Sequence, residues 1–286
     1  MSAQLEVRGV GHVFADGSPG LRDCSLVLGR GRRHALLGAN GAGKTTLLQH
    51  LNGLLRPGSG QLLLDGQPYD YGRKGLAQLR RRVGLVFQNP ERQLFSAQVE
   101  EDVSFGPLNL GLDAAAVRAR VAAALDAVGL RDHGRRAVHH LSFGQKKRVC
   151  IAGVLAMEPE VLLLDEPMAG LDAPMQDELA ALLDRLAARG TTILLSTHDI
   201  DFAYAWADDI HLMADGRCIA SGPAPLLARD AATLQAAGQR QPLALALHAH
   251  LVARSVLPAG PGPRSVDALL DALRCVPFTS SGKTPT

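Results

Sequence analysis

The stretch GANGAGKT, Gly38 to Thr45, limits what this chain can become more than any other feature. It follows RHALLGAN (33–40), which reads as a short apolar strand, and leads into TTLLQHLNGLL (45–55), which reads as a helix. The turn fits G-x-x-x-x-G-K-[ST], and a strand–turn–helix setting is what its chemistry requires. Glycines at positions 38, 41 and 43 let backbone N–H groups wrap phosphates, with Ala39, Asn40, Ala42 and Thr46 completing the cradle. Lys44 would reach the β- and γ-phosphates, and the Thr45 hydroxyl would ligate Mg²⁺. The tail segment SSGKT ends like this motif, but Pro277 stands where its first glycine belongs, so it is set aside.

Beyond the turn, apolar strands alternate with helices. RVGLVFQNP (82–90), EVLLLDEP (160–167) and TTILLSTHD (191–199) are short runs of the kind buried in a parallel sheet. DAAAVRARVAAALDAVGL (113–130) carries apolar residues three and four apart, with Gly129 near its end. GQKKRVCIAGVLAMEP is a helix stopped by Pro159, and ELAALLDRLAARG (178–190) is an amphipathic helix ending at a glycine. The alternation predicts an α/β fold, a parallel sheet covered by helices, with a mostly helical insert near 89–144. Strands stop after Gly222. Residues 226–274 read as Ala-rich helix, PAGPGPRS (258–265) as a linker and PFTSSGKTPT as a loose tail.

Composition narrows the partners. At 286 residues, 47% hydrophobic and 20% charged, the chain suits one large domain, or one domain with an appendage. A net charge of +2 does not point to nucleic acid, none is expected as a partner, and LRRRV (79–83) reads as a solvated helix end. The four cysteines are scattered without a C-x-x-C pair, so neither a zinc site nor a disulfide framework is signalled, and free thiols in a reducing cytoplasm are expected. No signal-peptide pattern opens the chain, and no apolar run approaches the roughly 18 residues of a membrane span. Membrane association is therefore expected to come through a partner. His248 and His250 are two residues apart, do not share a helix face, and read as surface residues.

Three strand ends carry candidate chemistry. Asp165 closes VLLLD, at the edge where α/β folds bind ligands, and can hold Mg²⁺ through water. Glu166 beside it can polarise an attacking water as general base. Gln88 ends GLVFQ and His198 ends TILLSTH, so both fall on that same edge. An amide there can orient Mg²⁺ or water, and an imidazole can contact a γ-phosphate. A further stretch, HHLSFGQKKRV (139–149), places a small-residue turn before a helix rich in basic residues. A helix N-terminus of this kind favours an anion.

Taken together, Gly38–Thr45, Gln88, LSFGQ (141–145), LLLDEP (162–167), GLD (170–172) and His198 occur in an order and spacing that resembles the ATP-binding cassette (ABC) ATPases. The resemblance spans residues 4 to about 236. It implies a P-loop cassette at 4–236, with a RecA-like parallel core, an antiparallel β edge and the helical subdomain at about 89–144. Residues 237–286 would then form a C-terminal helical extension with a flexible tail. It implies ATP and Mg²⁺ as cofactors, Mg²⁺ being held by Thr45, Gln88 and Asp165. It also implies that two cassettes sandwich two ATPs head to tail, so that Ser142, Gly144 and Gln145 of one chain serve the γ-phosphate bound by Lys44 of the other. Asp172 would lie at the same interface, and Phe14 would stack on adenine. The commonest signature has glycine where this chain has Phe143, whose backbone must then stay in ordinary φ/ψ space.

Residues 86–112 are similar to the corresponding segment of energy-coupling-factor importer ATPases, which energise uptake of cobalt, nickel and vitamins. That likeness implies an importer ATPase, cobalt first and nickel second, peripheral to the cytoplasmic face of the membrane. Residues 88–105 would contact a transmembrane coupling subunit, alongside a substrate-binding membrane subunit. Leu94, Phe95 and Val99 beside charge suit such a docking groove. Other readings fit less well. A repair or translation ATPase would carry two cassettes or a long coiled-coil insertion. A nucleotide kinase would lack LSFGQ and His198, an exporter half would usually carry its own span, and a non-catalytic module would be expected to lose Glu166 or Lys44.

Overall fold

The structure, a computed structural model, describes residues 2–275; the segment PFTSSGKTPT and its SSGKT sequence lie outside the described residues. The chain opens with β1 (Ala3–Val13), β2 (Pro19–Gly29), β3 (Arg33–Gly38), α1 (Lys44–Leu51), β4 (Ser59–Leu64) and β5 (Gln67–Pro68). It continues through α2 (Arg73–Arg82), β6 (Val83–Val86), α3 (Val99–Asn109), α4 (Ala114–Ala127), α5 (Phe143–Leu155), β7 (Val161–Leu164) and α6 (Ala173–Ala188). Next come β8 (Thr192–Thr197), α7 (Ile200–Trp206), β9 (Asp209–Ala214) and β10 (Arg217–Pro223). The helices α8 (Ala224–Leu227), α9 (Ala231–Ala236), α10 (Leu243–Ala253) and α11 (Val266–Arg274) complete it.

Six strands form the central sheet in the order β10-β9-β3-β8-β7-β6. All neighbours are parallel except β10, which runs antiparallel to β9. Every residue of β6, β7 and β8 is buried, which explains why the sequence shows β6 and β7 as continuous apolar runs, and β8 as an apolar centre between hydroxyl residues, rather than as alternating strands. Parallel pairing also fixes the site. The ends of β3, β7, β8 and β6 lie on one edge, and they lead directly to Gly38, Asp165, His198 and, two residues on, Gln88.

The antiparallel component expected as an edge is a separate sheet, in the order β2-β1-β4-β5. Leu47, Leu48 and Leu51 of α1 are fully buried between the two sheets, among Leu5, Leu28, Leu36 and Leu163. On the opposite face, α3, α4 and α5 share one core through Val103, Val121, Leu125, Val149 and Val154.

Several elements depart from expectation for identifiable reasons. The helix after the glycine turn stops at Leu51 rather than Leu55, because Gly53 takes φ +70° and the N–H groups of Leu54 and Leu55 turn back to the Gln49 carbonyl. The insert at 89–144 contains only two α-helices, α3 and α4; its remainder is loop and short 3₁₀ turns. Val99, expected at a docking surface, is fully buried at the start of α3, whereas Phe95 is 64% exposed. LRRRV is not simply a solvated end. Arg82 bonds both carboxylate oxygens of Glu160 (2.6 and 2.7 Å) and also Asp65, and Arg80 donates to the Gly53 carbonyl at 2.9 Å.

The stretch 258–265, expected as a linker, is fastened down. Arg264 donates from Nε to the Tyr204 carbonyl and from Nη2 to the Ala207 carbonyl, both at 2.6 Å. It thereby satisfies acceptors at the C-terminal end of α7, where a cation also meets the negative end of the helix dipole. Leu234, Ala237 and Leu245 are buried in the same core as the sheet, so the C-terminal helices pack on it directly. Among the described residues no helix is long and apolar enough to cross a membrane.

Candidate active site

The glycine turn is held by close backbone approach. A Cβ at Gly38 would lie 2.5 Å from the Met213 carbonyl oxygen. Gly43 sits at φ +99°, where a Cβ would lie 2.9 Å from the Gly20 carbonyl oxygen. Gly43 is also the N-cap of α1 and supplies no side-chain cap, so the helix opens onto the turn with its dipole and backbone groups alone. Lys44, buried in the first turn, donates to the carbonyls of Gly38 (2.7 Å) and Ala39 (3.2 Å), and its Nζ lies 3.9 Å from Glu166 Oε1.

Asp165 is fixed through both oxygens. Thr45 Oγ1 donates to its Oδ2 at 2.7 Å, and Ser196 Oγ donates to its Oδ1 at 2.6 Å. Ser196 also accepts from the Glu166 N–H at 2.9 Å, which ties the two acidic residues to β8. Glu166 adopts φ +46°, a left-handed conformation unusual for a residue with a Cβ. Its Oε2 is 3.1 Å from His198 Nδ1.

These groups line one cavity of about 860 Å³. Phe14, the whole turn from Gly38 to Thr46, Gln88, Asp165, Glu166 and His198 all face it. Phe14 is 39% exposed and meets His12 edge to face at 4.8 Å. Every candidate placed at the strand edge by its sequence position is therefore brought together.

Ser142, Gly144, Gln145 and Asp172 do not line this cavity. Ser142 caps α5, its Oγ accepting from the Gln145 N–H at 3.3 Å while Gln145 Oε1 accepts from the Ser142 N–H at 3.1 Å, a reciprocal capping box. Gly144 is buried, and a Cβ there would lie 2.5 Å from Met175 Sδ of α6. Asp172 caps α6 by accepting from the Met175 N–H at 3.0 Å. Phe143 has no positive φ, as expected, and its ring occupies the space beside Gly170, where a Cβ would lie 2.8 Å from the ring edge.

The cations of α5 are all engaged within this chain. Lys146 pairs with Glu91 at 3.2 Å and Arg148 with Glu178 at 3.0 Å. Lys147 is buried and donates to two backbone carbonyls. The anion affinity read from their charge is thus reduced to what the capped helix end itself offers.

Two contributions were missed from sequence. Ser196 lay hidden as one of three hydroxyl residues in β8, although a polar residue inside a fully buried strand is itself a signal that something there needs a donor. Gly238, Gln239 and Arg240 reach the cavity from the segment assigned to the C-terminal extension, where a Cβ at Gly238 would lie 3.2 Å from Ala39 Cβ. No local motif marks them.

Comparison with known proteins identifies the family. The family profile described as ABC transporter matches residues 21–169. The cobalt import ATP-binding protein CbiO of Rhodobacter capsulatus is 51% identical over 94% of this chain and 96% of its own length. The energy-coupling factor transporter ATP-binding protein EcfA of Methanocaldococcus jannaschii is 47% identical over 80% of this chain and 82% of its own. Among solved structures, cbiO1 of Clostridium perfringens, part of the ABC transporter complex cbiONQ, superposes with a TM-score of 0.74. It is 42% identical, over 88% of this chain and all of that one. The chain belongs to the ATP-binding subunits of ABC transporters, in the cobalt-import and energy-coupling-factor group, and it is an ATPase.

Proposed function

We propose that this chain energises a membrane importer of the energy-coupling-factor class, working as a head-to-tail pair of cassettes, with cobalt ion as cargo ahead of nickel. The observation that carries the reading is the division of the site. One cavity gathers Lys44, Thr45, Asp165, Glu166 and His198, while the turn at Ser142–Gln145 lies outside it. A turn that serves a nucleotide but does not line its own chain's cavity fits a role toward a partner cassette, with Asp172 beside it.

Within the cavity, each side chain has a task. The backbone of Gly38–Thr46 cradles the phosphates of ATP, Lys44 reaches the terminal ones, and Phe14 stacks on adenine. Glu166 accepts a proton from the attacking water, and its carboxylate is oriented by His198. Thr45 hydroxyl, Gln88 amide and Asp165 carboxylate are hard oxygen donors of the kind Mg²⁺ takes, and Thr45 and Asp165 already meet at 2.7 Å. When bound there, Mg²⁺ would offset phosphate charge; Ser196 keeps Asp165 turned toward Thr45.

The membrane partner would dock on a groove of about 530 Å³ between α2, α3 and α5. Phe95 and Phe105 meet edge to face at its rim, 64% and 51% exposed, with Leu54 and Met157 also lining it and Arg80, Arg81 and Asp102 around them. Apolar anchors inside a charged rim suit a helix from a transmembrane coupling subunit. This would hold the chain at the cytoplasmic face of the membrane, alongside a substrate-binding membrane subunit.

Tagged purification from detergent-solubilised native membranes, with mass spectrometry of what co-purifies, tests this directly. Recovery of a small transmembrane subunit with a metal-binding membrane subunit is expected. Several vitamin-binding membrane proteins instead would change the cargo, and no membrane protein at all would favour a non-transport ATPase.

A further inference from the structure

Lys147 is a buried amine with no part in the chemistry described so far. It is 1% exposed, yet it lies in α5 only five residues after the capping Ser142. Its Nζ donates to the carbonyl oxygens of Glu166 (3.0 Å) and Ala169 (2.8 Å). Both acceptors belong to the turn that leaves β7 and reaches α6. A buried ammonium is costly unless its donors are met, and a Met or Leu would fill the same space without that cost. Burial holds its pKa down at about 8, against the pull of Glu166 and Asp165 nearby.

The acceptor at Glu166 is the informative one. That residue sits at φ +46°, a conformation that costs on the order of 1 kcal/mol or more for a residue with a Cβ and persists only when its surroundings impose it. Three contacts hold it here: the Glu166 N–H donates to Ser196, and the Glu166 carbonyl accepts from Lys147 and, at 3.2 Å, from the Ala169 N–H, of which only the lysine ties it to α5. The same lysine stands 5.5 Å from the Phe143 ring, which packs beside Gly170 of the same turn. The first turns of α5 are thereby riveted to the backbone that aims the Glu166 carboxylate.

We propose that Lys147 is a positioning residue for Glu166, and that it joins the turn presented to a partner's nucleotide with the water-activating group of its own chain. This rests on the reading of Glu166 as general base and of Ser142–Gln145 as serving a partner. A shift of α5 on meeting the partner's γ-phosphate would pull on the Glu166 carbonyl, so that the two nucleotides of a pair are not hydrolysed independently.

The test uses the full chain, with Lys147→Met and Lys147→Gln compared beside Glu166→Gln. Lys147→Met is expected to lower kcat about tenfold or more, equivalent to roughly 1.4 kcal/mol in the barrier, while KM and ATP affinity stay within about twofold. Its thermal midpoint should stay close to wild type. Lys147→Gln keeps an N–H donor and should recover part of the lost kcat. Wild-type kcat in the Met variant overturns the proposal. So does a parallel fall of kcat, ATP affinity and thermal midpoint in both variants, which is what a purely structural lysine gives. If the Met variant does not fold, Lys147→Gln decides, and wild-type kcat in it counts against the role. Hydrolysis surviving in Glu166→Gln would remove the underlying reading instead of the strut alone.

Discussion

Glu166 and Ser142 face opposite demands, and substitutions at the two should separate binding from turnover. Glu166 is held on three sides, by Ser196, Lys147 and His198, so Glu166→Gln changes charge and basicity with little change of shape. A variant that binds ATP with near-wild-type affinity, hydrolyses it at least about a hundredfold more slowly and accumulates as a closed pair is expected. Normal turnover would remove Glu166 from the role of base. Ser142 is exposed and lies outside the nucleotide cavity of its own chain. Ser142→Arg loses a helix cap, at about 1 kcal/mol, and puts a large side chain where a partner's phosphate is proposed to meet the turn. ATP binding by the single chain should survive and hydrolysis should not. Loss of both, measured by nucleotide titration, would argue that the two half-sites are not shared.

At the scale of elements, the sequence was most readable where burial is uniform. Strands β6 and β7 are apolar from end to end and β3 and β8 have apolar centres, and parallel pairing then placed Gly38, Asp165, His198 and Gln88 on one edge without further information. What could not be read were elements whose partners are distant in sequence. Val99 looks like a surface residue beside charge, but α3 turns it into a core that α4 and α5 complete. Pro and Gly in 258–265 signal only that no helix forms there; that Arg264 caps α7 depends on carbonyls some sixty residues away. Arg264→Ala should therefore lower the unfolding free energy by about 1–2 kcal/mol, since charge-assisted contacts to two helix-end carbonyls are lost. It should also make the chain after Pro242 cleave faster under limited proteolysis. If neither the urea midpoint nor the cleavage rate moves, the C-terminal helices are held by Leu245 and its apolar neighbours alone.

For the molecule as a whole, a buried pair of imidazoles in the central sheet, one of which reaches Gly29 of the second sheet, makes stability depend on pH. His34 of β3 and His211 of β9 are 1% and 2% exposed, with His34 Nδ1 3.1 Å from His211 Nε2. His34 Nε2 faces the Gly29 carbonyl at 3.2 Å, and His211 Nδ1 faces Ser221 Oγ at 2.8 Å. One set of neutral tautomers satisfies all three contacts: His34 donates to Gly29, His211 to His34, and Ser221 to His211. Burial lowers both pKa values, His211 to about 3, while Asp209 and Asp208 pull His34 back upward and Arg32 pushes it down. In the unfolded chain each histidine titrates near the ordinary value of about 6.5. Below that pH the unfolded state binds protons that the folded state does not, so stability present at neutral pH is lost as pH falls from about 6.5 toward 3. At pH 5 the loss from His211 alone is of order 2 kcal/mol, and His50, also held low by burial, adds to it. Carboxylates whose pKa values are lowered, Glu160 and Asp208 among them, lose their contribution only further down, as pH falls through the ordinary carboxylate range and below it. Urea midpoints should thus drop between pH 7 and pH 5, a window the acidic groups do not share. Replacing His211 by Leu removes one titrating group and should flatten that slope, whatever it does to stability at neutral pH. An unchanged slope in His211→Leu would mean that the acid sensitivity comes from elsewhere in the chain.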